Sequence, residues 1–290
     1  MKKNYLPALW LLACIGFFAT SATAQTEADS TQLWRIITTD GNEYIGAIES
    51  RSSEQIVLRT ESVGTITIQV RNVKTLVEIN PQRVVNGELW ADNPQATRYF
   101  WGPNGYGLRQ GEGYYQNIWV LFNQVSVGIT DNISIGAGLV PLFLFEGSPT
   151  PVWITPKVSI PIKKDAFNVG AGVLAGTILG EDEGGFGIAY GVTTFGNRDK
   201  NLTLGLGYGF ADGDWARTPT ITISGMLRLG KKGYLLTENY IVQDVVLMTL
   251  GGRTVWTGVS LDYGLVLPLS GDGFFALPWL GLAVPFGRKQ

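Results

Sequence analysis

The 290-residue chain carries 22 Lys+Arg against 24 Asp+Glu, one cysteine and no histidine, for a formal net charge of −2. Without histidine, the usual Ser/His hydrolase arrangements and His-containing metal sites are excluded, and Cys14 alone allows no disulfide framework. The mildly acidic balance has no basic stripe to meet a phosphate backbone, so no nucleic-acid partner is expected.

Residues 1–24 read as a secretory signal peptide. Lys2 and Lys3 open it, Leu6 to Phe18 form the apolar run, and Ala22-Thr23-Ala24 offers a small-x-small cleavage site. Lipid attachment at Cys14 is the weaker reading, because Ile15-Gly16-Phe17-Phe18 would be a poor hydrated tether. Cleavage takes Lys2 and Lys3 from the 22 basic residues, leaving 20 against 24 acidic ones, a net charge of −4. Residues 25–30 are a short tail. No later window offers about 18 uninterrupted apolar residues, so no helical span is expected. Charged residues are nevertheless only 16%, against about 25% in an ordinary soluble domain. A lipid-facing β-surface reconciles these facts, because its outward and inward residues alternate.

Residues 31–80 are richer in charge than the remainder of the chain and hold only Gly41, Gly46 and Gly64. Leu33 to Thr38, Glu43 to Ser50, Gln55 to Thr60, Thr65 to Gln69 and Thr75 to Ile79 read as short strands. Asp40-Gly41 marks a tight hairpin, and Arg71-Asn72-Val73 fits one helical turn. The pattern resembles an SH3-like or Sm-like small β-barrel, with Trp34, Ile36, Ile45, Ile48, Ile56, Leu58, Ile66, Ile68, Val73 and Leu76 as its core. Arg35, Arg51, Arg59, Arg71 and Lys74 are balanced by Asp40, Glu43, Glu49, Glu54, Glu61 and Glu78. RNA binding is therefore not carried over, and a periplasmic protein contact is the better expectation. Residues 81–96, with Pro81, Gly87, Asn93 and Pro94, read as a linker.

Residues 97–290 carry twelve strand-sized segments, the pattern of an antiparallel transmembrane-type β-barrel. They run Thr97–Trp101, Asn117–Ile129, Ile133–Phe145, Val152–Ile162, Phe167–Leu179 and Phe186–Phe195. Asn201–Phe210, Thr218–Leu229, Tyr234–Ile241, Val246–Leu250, Val255–Leu267 and Phe274–Phe286 complete them. Most reach the roughly 9 to 11 residues that a tilted strand needs to cross a bilayer; Thr97–Trp101 and Val246–Leu250 fall short. In Asn201–Phe210, Leu202, Leu204, Leu206, Tyr208 and Phe210 share one face opposite Thr203, Gly205, Gly207 and Gly209.

The connectors sort by charge. One side holds Lys163, Lys164, Arg198, Lys200, Lys231, Lys232 and Arg253, with Arg288 and Lys289 at the end. The other holds Glu112, Glu146, Glu181, Asp182, Glu183, Asp212, Asp214, Asp244 and Asp272, with the longer loops. By analogy with bacterial barrels, short turns face the periplasm with the N-terminal domain, and long loops face outward. Tyr114, Tyr115, Trp119, Phe143, Phe145, Trp153, Tyr208, Phe210, Phe274 and Phe275 are expected near the outer strand ends. Phe167, Phe195, Tyr234, Trp256 and Phe286 are expected near the inner ends, giving two aromatic girdles.

Lys157, Arg228, Glu238 and Asp262 are the ionisable residues inside these strands. A Lys or Arg on the lipid face near midplane costs about 2–4 kcal/mol, so all four are expected in the lumen, although an inward Glu238 turns Asn239 towards lipid. Paired, they narrow or plug the lumen; hydrated, they line a small pore, and pairing is favoured because unpaired confined charge is expensive. The acidic outer loops with Glu181, Asp182, Glu183, Asp212 and Asp214 offer oxygen ligands for Ca²⁺ or Mg²⁺, but without a full ligand set they read first as solvated charge. Gly170-Ala171-Gly172-Val173-Leu174-Ala175-Gly176 lacks the spacing and following helix of a nucleotide loop. No cofactor, metal or catalytic residue is expected.

Ala96-Thr97-Arg98-Tyr99-Phe100-Trp101-Gly102-Pro103 and Gly111-Glu112-Gly113-Tyr114-Tyr115-Gln116-Asn117 together resemble a recurring pattern in uncharacterised exported proteins of Bacteroidota. Ile129-Thr130-Asp131-Asn132, Tyr190-Gly191 and Gly196-Asn197-Arg198-Asp199 extend the resemblance to about 190 residues. It implies an outer-membrane-like barrel, often behind a small barrel, without an established activity. Barrel-assembly machinery and outer-membrane lipid are then the expected partners, with Phe286 in the last strand as an atypical assembly signal. The function expected is a non-enzymatic outer-membrane β-barrel, either a narrow passive pore or a structural anchor. The alternative is a soluble periplasmic or secreted barrel binding an apolar small molecule.

Overall fold

A computed structural model describes residues 32–79, 81–85, 88–90, 92–181, 185–256, 258–269 and 275–287, in two compact units divided between Asp92 and Asn93. The expected signal peptide and tail, Asp182, Glu183, Asp272, Phe274, Arg288 and Lys289 lie outside the described residues.

In the first unit β1 (Leu33–Thr38), β2 (Glu43–Arg51), β3 (Gln55–Thr60), β4 (Gly64–Gln69) and β5 (Val73–Ile79) form an antiparallel sheet in the order β4-β3-β2-β1-β5. A 3₁₀ turn at Val70–Asn72 precedes β5. Ile36, Ile56, Leu58 and Ile68 are buried together, with Trp34, Tyr44, Ile48, Ile66, Val73 and Leu76 against them. Ile45, expected in the core, is replaced there by Tyr44: strand alternation puts Tyr44 and Ile48 on the face opposite Ile45. At the β1–β2 hairpin the Thr38 hydroxyl donates to Asp40 and holds its exposed carboxyl below the ordinary carboxylate range. β6 (Val84–Val85) and β7 (Glu88–Leu89) make a two-stranded ribbon within the expected linker.

The second unit begins its wall with β8 (Gly113–Ile118), β9 (Phe122–Gly128) and β10 (Ile133–Leu139), followed by α1 (Pro141–Glu146), β11 (Thr150–Ile154) and β12 (Lys157–Lys163). Then come β13 (Phe167–Leu179), β14 (Phe186–Gly196), β15 (Lys200–Ala211), the two-residue β16 (Asp214–Trp215) and β17 (Thr220–Arg228). β18 (Gly233–Val242), β19 (Val245–Trp256), β20 (Val259–Leu269) and β21 (Leu277–Phe286) complete it. β11 and β12 are one wall strand interrupted at Thr155-Pro156, since both pair with β10 and β13 in a single register. β21 pairs with β8, from Gly281 opposite Ile118 to Phe286 opposite Gly113, and closes a twelve-stranded antiparallel barrel. Closure leaves no unpaired edge.

The count agrees with expectation, but two boundaries differ in compensating ways. Asn117–Ile129 is not one strand; it is β8 and β9 around a tight turn at Trp119-Val120, both with positive φ (52° and 65°). Thr97–Trp101 is not a wall strand at all, and lies inside the barrel. Ile133–Phe145 stops at Leu139, where Pro141 opens α1. Val246–Leu250 extends without a break through Gly251, Gly252 and Arg253 to Trp256, so Arg253 leaves the basic turns and joins the wall. Glu112 precedes β8 at the basic-turn end, since Gly128 N–H donates to its carbonyl. Along β15 the inner Thr203 is 1% exposed, whereas outer Leu204 and Leu206 are 44% and 50% exposed.

Candidate functional site

The lumen is occupied by the chain itself. Residues 93–110 enter from the basic-turn end before β8 begins, so Asn93 to Ala96, expected in a linker, belong to the barrel and are largely buried. The segment folds back at Gly102-Pro103: Tyr99 N–H donates to Gly102 O (3.0 Å), Asn104 N–H to Thr97 O (3.2 Å), and Arg98 bridges Pro103. Tyr99 and Phe100 are fully buried.

A hairpin inside a barrel has backbone groups that neither water nor a sheet satisfies, and the wall must supply partners. Glu238 does so on β18. Its Oε2 accepts from the backbone N–H groups of Phe100 (2.7 Å), Trp101 (3.0 Å) and Gly102 (3.0 Å), and its Oε1 accepts from the Tyr240 hydroxyl (2.7 Å). Gly102 is required here, because a Cβ would stand 2.6 Å from the Tyr240 hydroxyl. Asn239, turned to the outer face by that geometry, donates its amide to Ile223 O at 2.7 Å and Thr237 Oγ1 at 3.0 Å.

Asp262 on β20 stands directly opposite Arg253 on β19. Its carboxylate accepts two bonds from Arg253 (2.5 and 3.0 Å) and one from Arg98 of the hairpin (2.8 Å). Arg253 also donates to Gln95 O (2.8 Å) and Tyr99 O (2.6 Å), and Arg98 to Tyr99 O, Phe100 O and Gln95 Oε1. All three side chains are at most 4% exposed. Bidentate geometry at Arg253, with its Nη1 and Nη2 also directed at carbonyls, is what makes so buried an ion cluster tolerable. Lys157 on β12 donates to Tyr106 O at 2.5 Å and Thr97 O at 3.5 Å, gripping both arms of the hairpin. Arg228 does not join them. It sits at the basic-turn end, bonded to Asp199 (2.9 Å), Gly230 O and Lys231 O, and lies over the Tyr234 ring.

Aromatic rings close the far end. Trp101 packs on Phe122 (5.5 Å between centroids) and Trp153 (6.1 Å), Phe100 on Trp279 (5.5 Å), and Trp279 on Trp119 (4.9 Å). Trp153, expected in an outer girdle, is therefore interior, and Tyr114, expected there too, is interior at the basic-turn end beneath Arg98; each is 6% exposed. At the other end the Tyr99 hydroxyl meets Asn201 (2.7 Å) and Thr203 (2.6 Å), and the Tyr106 hydroxyl donates to Gly196 O (2.6 Å). A cavity of about 150 Å³ remains between the hairpin and the wall.

Glu181, Asp212 and Asp214 are exposed at the acidic-loop end, and no cluster of three metal-ligating side chains occurs among the described residues. Sequence reasoning missed the two arginines. Arg253 had a signal in its register with Asp262, hidden by Gly251-Gly252; Arg98 had none, since only tertiary structure puts it beside Asp262.

No protein-family model matches the chain, and no curated protein matches it. Among solved structures it is similar to a KdgM porin, at 8% identity over 60% of this chain and 99% of that one, with a TM-score of 0.47. It is also similar to an outer-membrane expressed OmpT of Vibrio cholerae, at 11% identity over 90% and 99%, with a TM-score of 0.30. At such identity and overlap the architecture rests on this chain's own strand pairing.

Proposed function

We propose that the chain is a non-enzymatic outer-membrane β-barrel, closed by its internal hairpin and serving as a structural anchor rather than a passive pore. The observation that carries this reading is inverted polarity. Leu204, Leu206, Ile221, Leu250, Leu265 and Leu280 are 42–52% exposed on the outer wall, while Lys157, Glu238, Arg253 and Asp262 are buried within. Such a surface suits lipid, where a closed barrel satisfies every backbone group internally. A carrier of apolar ligands would need an apolar lumen, and this one holds an ion cluster.

In this reading the basic turns and the sheet of residues 32–79 face the periplasm, where that SH3-like module meets a protein partner. The acidic loops face outward, and Trp119, Val120, Leu142, Leu144 and Phe145, all at least 37% exposed, enter the outer interface. Barrel-assembly machinery receives β21 with its outward Phe286. The test is membrane fractionation with unboiled electrophoresis, then planar-bilayer recording. Retention after carbonate, a heat-dependent mobility change and no steady conductance are expected. Carbonate release without a mobility change refutes the membrane barrel, and a stable open conductance refutes the anchor.

A further inference from the structure

The cavity beside the hairpin is about 150 Å³, an order of magnitude above the roughly 10–15 Å³ that one water requires. Its lining includes two cations, Arg98 and Lys157, and no carboxylate. The nearby acids are committed: Asp262 to Arg253 and Arg98, Glu238 to three backbone N–H groups and Tyr240. Lys157 is 8% exposed, touches only carbonyl oxygens and has no carboxylate partner among the described residues. Arg98 directs Nε and Nη1 at four acceptors, whereas Nη2 has none among the described residues. Around the same space Ser134, Tyr190 and Thr222 present hydroxyls without a hydrogen-bond partner among the described residues.

Three central basic side chains, Arg98, Lys157 and Arg253, thus face two central carboxylates, Glu238 and Asp262. Excess positive charge in a confined space attracts a counter-ion. Unused guanidinium and ammonium donors beside free hydroxyls match the several acceptor lone pairs of an oxyanion.

We propose that this cavity is a binding site for one small oxyanion, a carboxylate or phosphate, held between Lys157 of the wall and Arg98 of the hairpin. Because Arg98 and Lys157 both grip the hairpin, the bound anion completes the contact between hairpin and wall. The site depends on the closed lumen and not on the membrane around it, so it is tested on the purified full chain in detergent.

Equilibrium dialysis against radiolabelled inorganic phosphate at fixed ionic strength, with acetate as competitor, reads occupancy directly. Saturable uptake of one phosphate per chain is expected. Competition by acetate extends the site to carboxylates, and its absence narrows it to phosphate. Lys157→Met should weaken binding at least about tenfold, the scale of a lost charge-assisted bond. Tyr190→Phe removes a hydroxyl that bonds nothing among the described residues, so it should keep the heat-dependent mobility change while weakening binding about threefold to tenfold. If Lys157→Met fails to fold, Tyr190→Phe decides. No saturable uptake, or affinity unchanged in Tyr190→Phe, overturns the proposal.

Discussion

Two single residues carry unusual burdens. Val120 holds φ at 65° in the β8–β9 turn, a region that costs a β-branched side chain about 1–2 kcal/mol. The neighbouring Trp119 holds the turn in place by donating its Nε1–H to Pro278 O at 2.7 Å and packing on Trp279. Val120→Gly should therefore stabilise the barrel by about 0.5–1 kcal/mol after the extra backbone entropy of glycine. A urea titration of the folded band on unboiled gels measures it. Glu238 is the opposite case, one carboxylate closing three N–H groups. Glu238→Ala leaves those donors without an acceptor in the lumen, at a cost of about 3–5 kcal/mol. The same titration should show that loss, with fluctuating conductance appearing in bilayers.

At the scale of elements, the hairpin of residues 97–104 is the piece that decides between pore and plug. Deleting residues 97–108 and joining the ends with a Gly/Ser linker should leave the wall strands paired while opening the lumen. The expected outcome is a mobility shift on heating together with a steady single-channel current absent from the parent; a deletion variant that folds and stays silent would mean the lumen is blocked by something else. Legibility differed sharply between elements. β13 and β15 announced themselves by long alternation, and their ends lie within a residue or two of expectation. The β8–β9 turn was invisible, because Asn117-Ile118-Trp119-Val120-Leu121-Phe122 has no Gly, Pro or Asp to mark it. The sequence pattern breaks β19 at Gly251-Gly252, whose glycines serve close packing: a Cβ on Gly251 would lie 2.0 Å from Tyr263 O. The hairpin alternates Thr97, Tyr99 and Trp101 as a wall strand would, and alternation alone does not say whether a segment pairs with neighbours or sits among them.

For the whole molecule the decisive contrast is between two exposed surfaces. Val63 in the turn between β3 and β4 is 62% exposed and Leu206 on the barrel wall is 50% exposed. In water either would accept a charge within about 0.5 kcal/mol. In lipid, Leu206→Arg should cost about 2–4 kcal/mol near midplane while Val63→Arg stays neutral. Urea titration after refolding into lipid vesicles compares them, and equal effects would argue against a lipid-facing wall. The barrel class, the outward face and the inward direction of Lys157, Glu238 and Asp262, though not the place of Arg228 at a turn, are legible in the sequence, because a period of two acts strand by strand. What fills the lumen came only from tertiary structure. Arg98 lies 164 residues from Asp262 and Phe100 lies 138 from Glu238, and bonds across such separations exist only once closure has put the ring of strands around the hairpin.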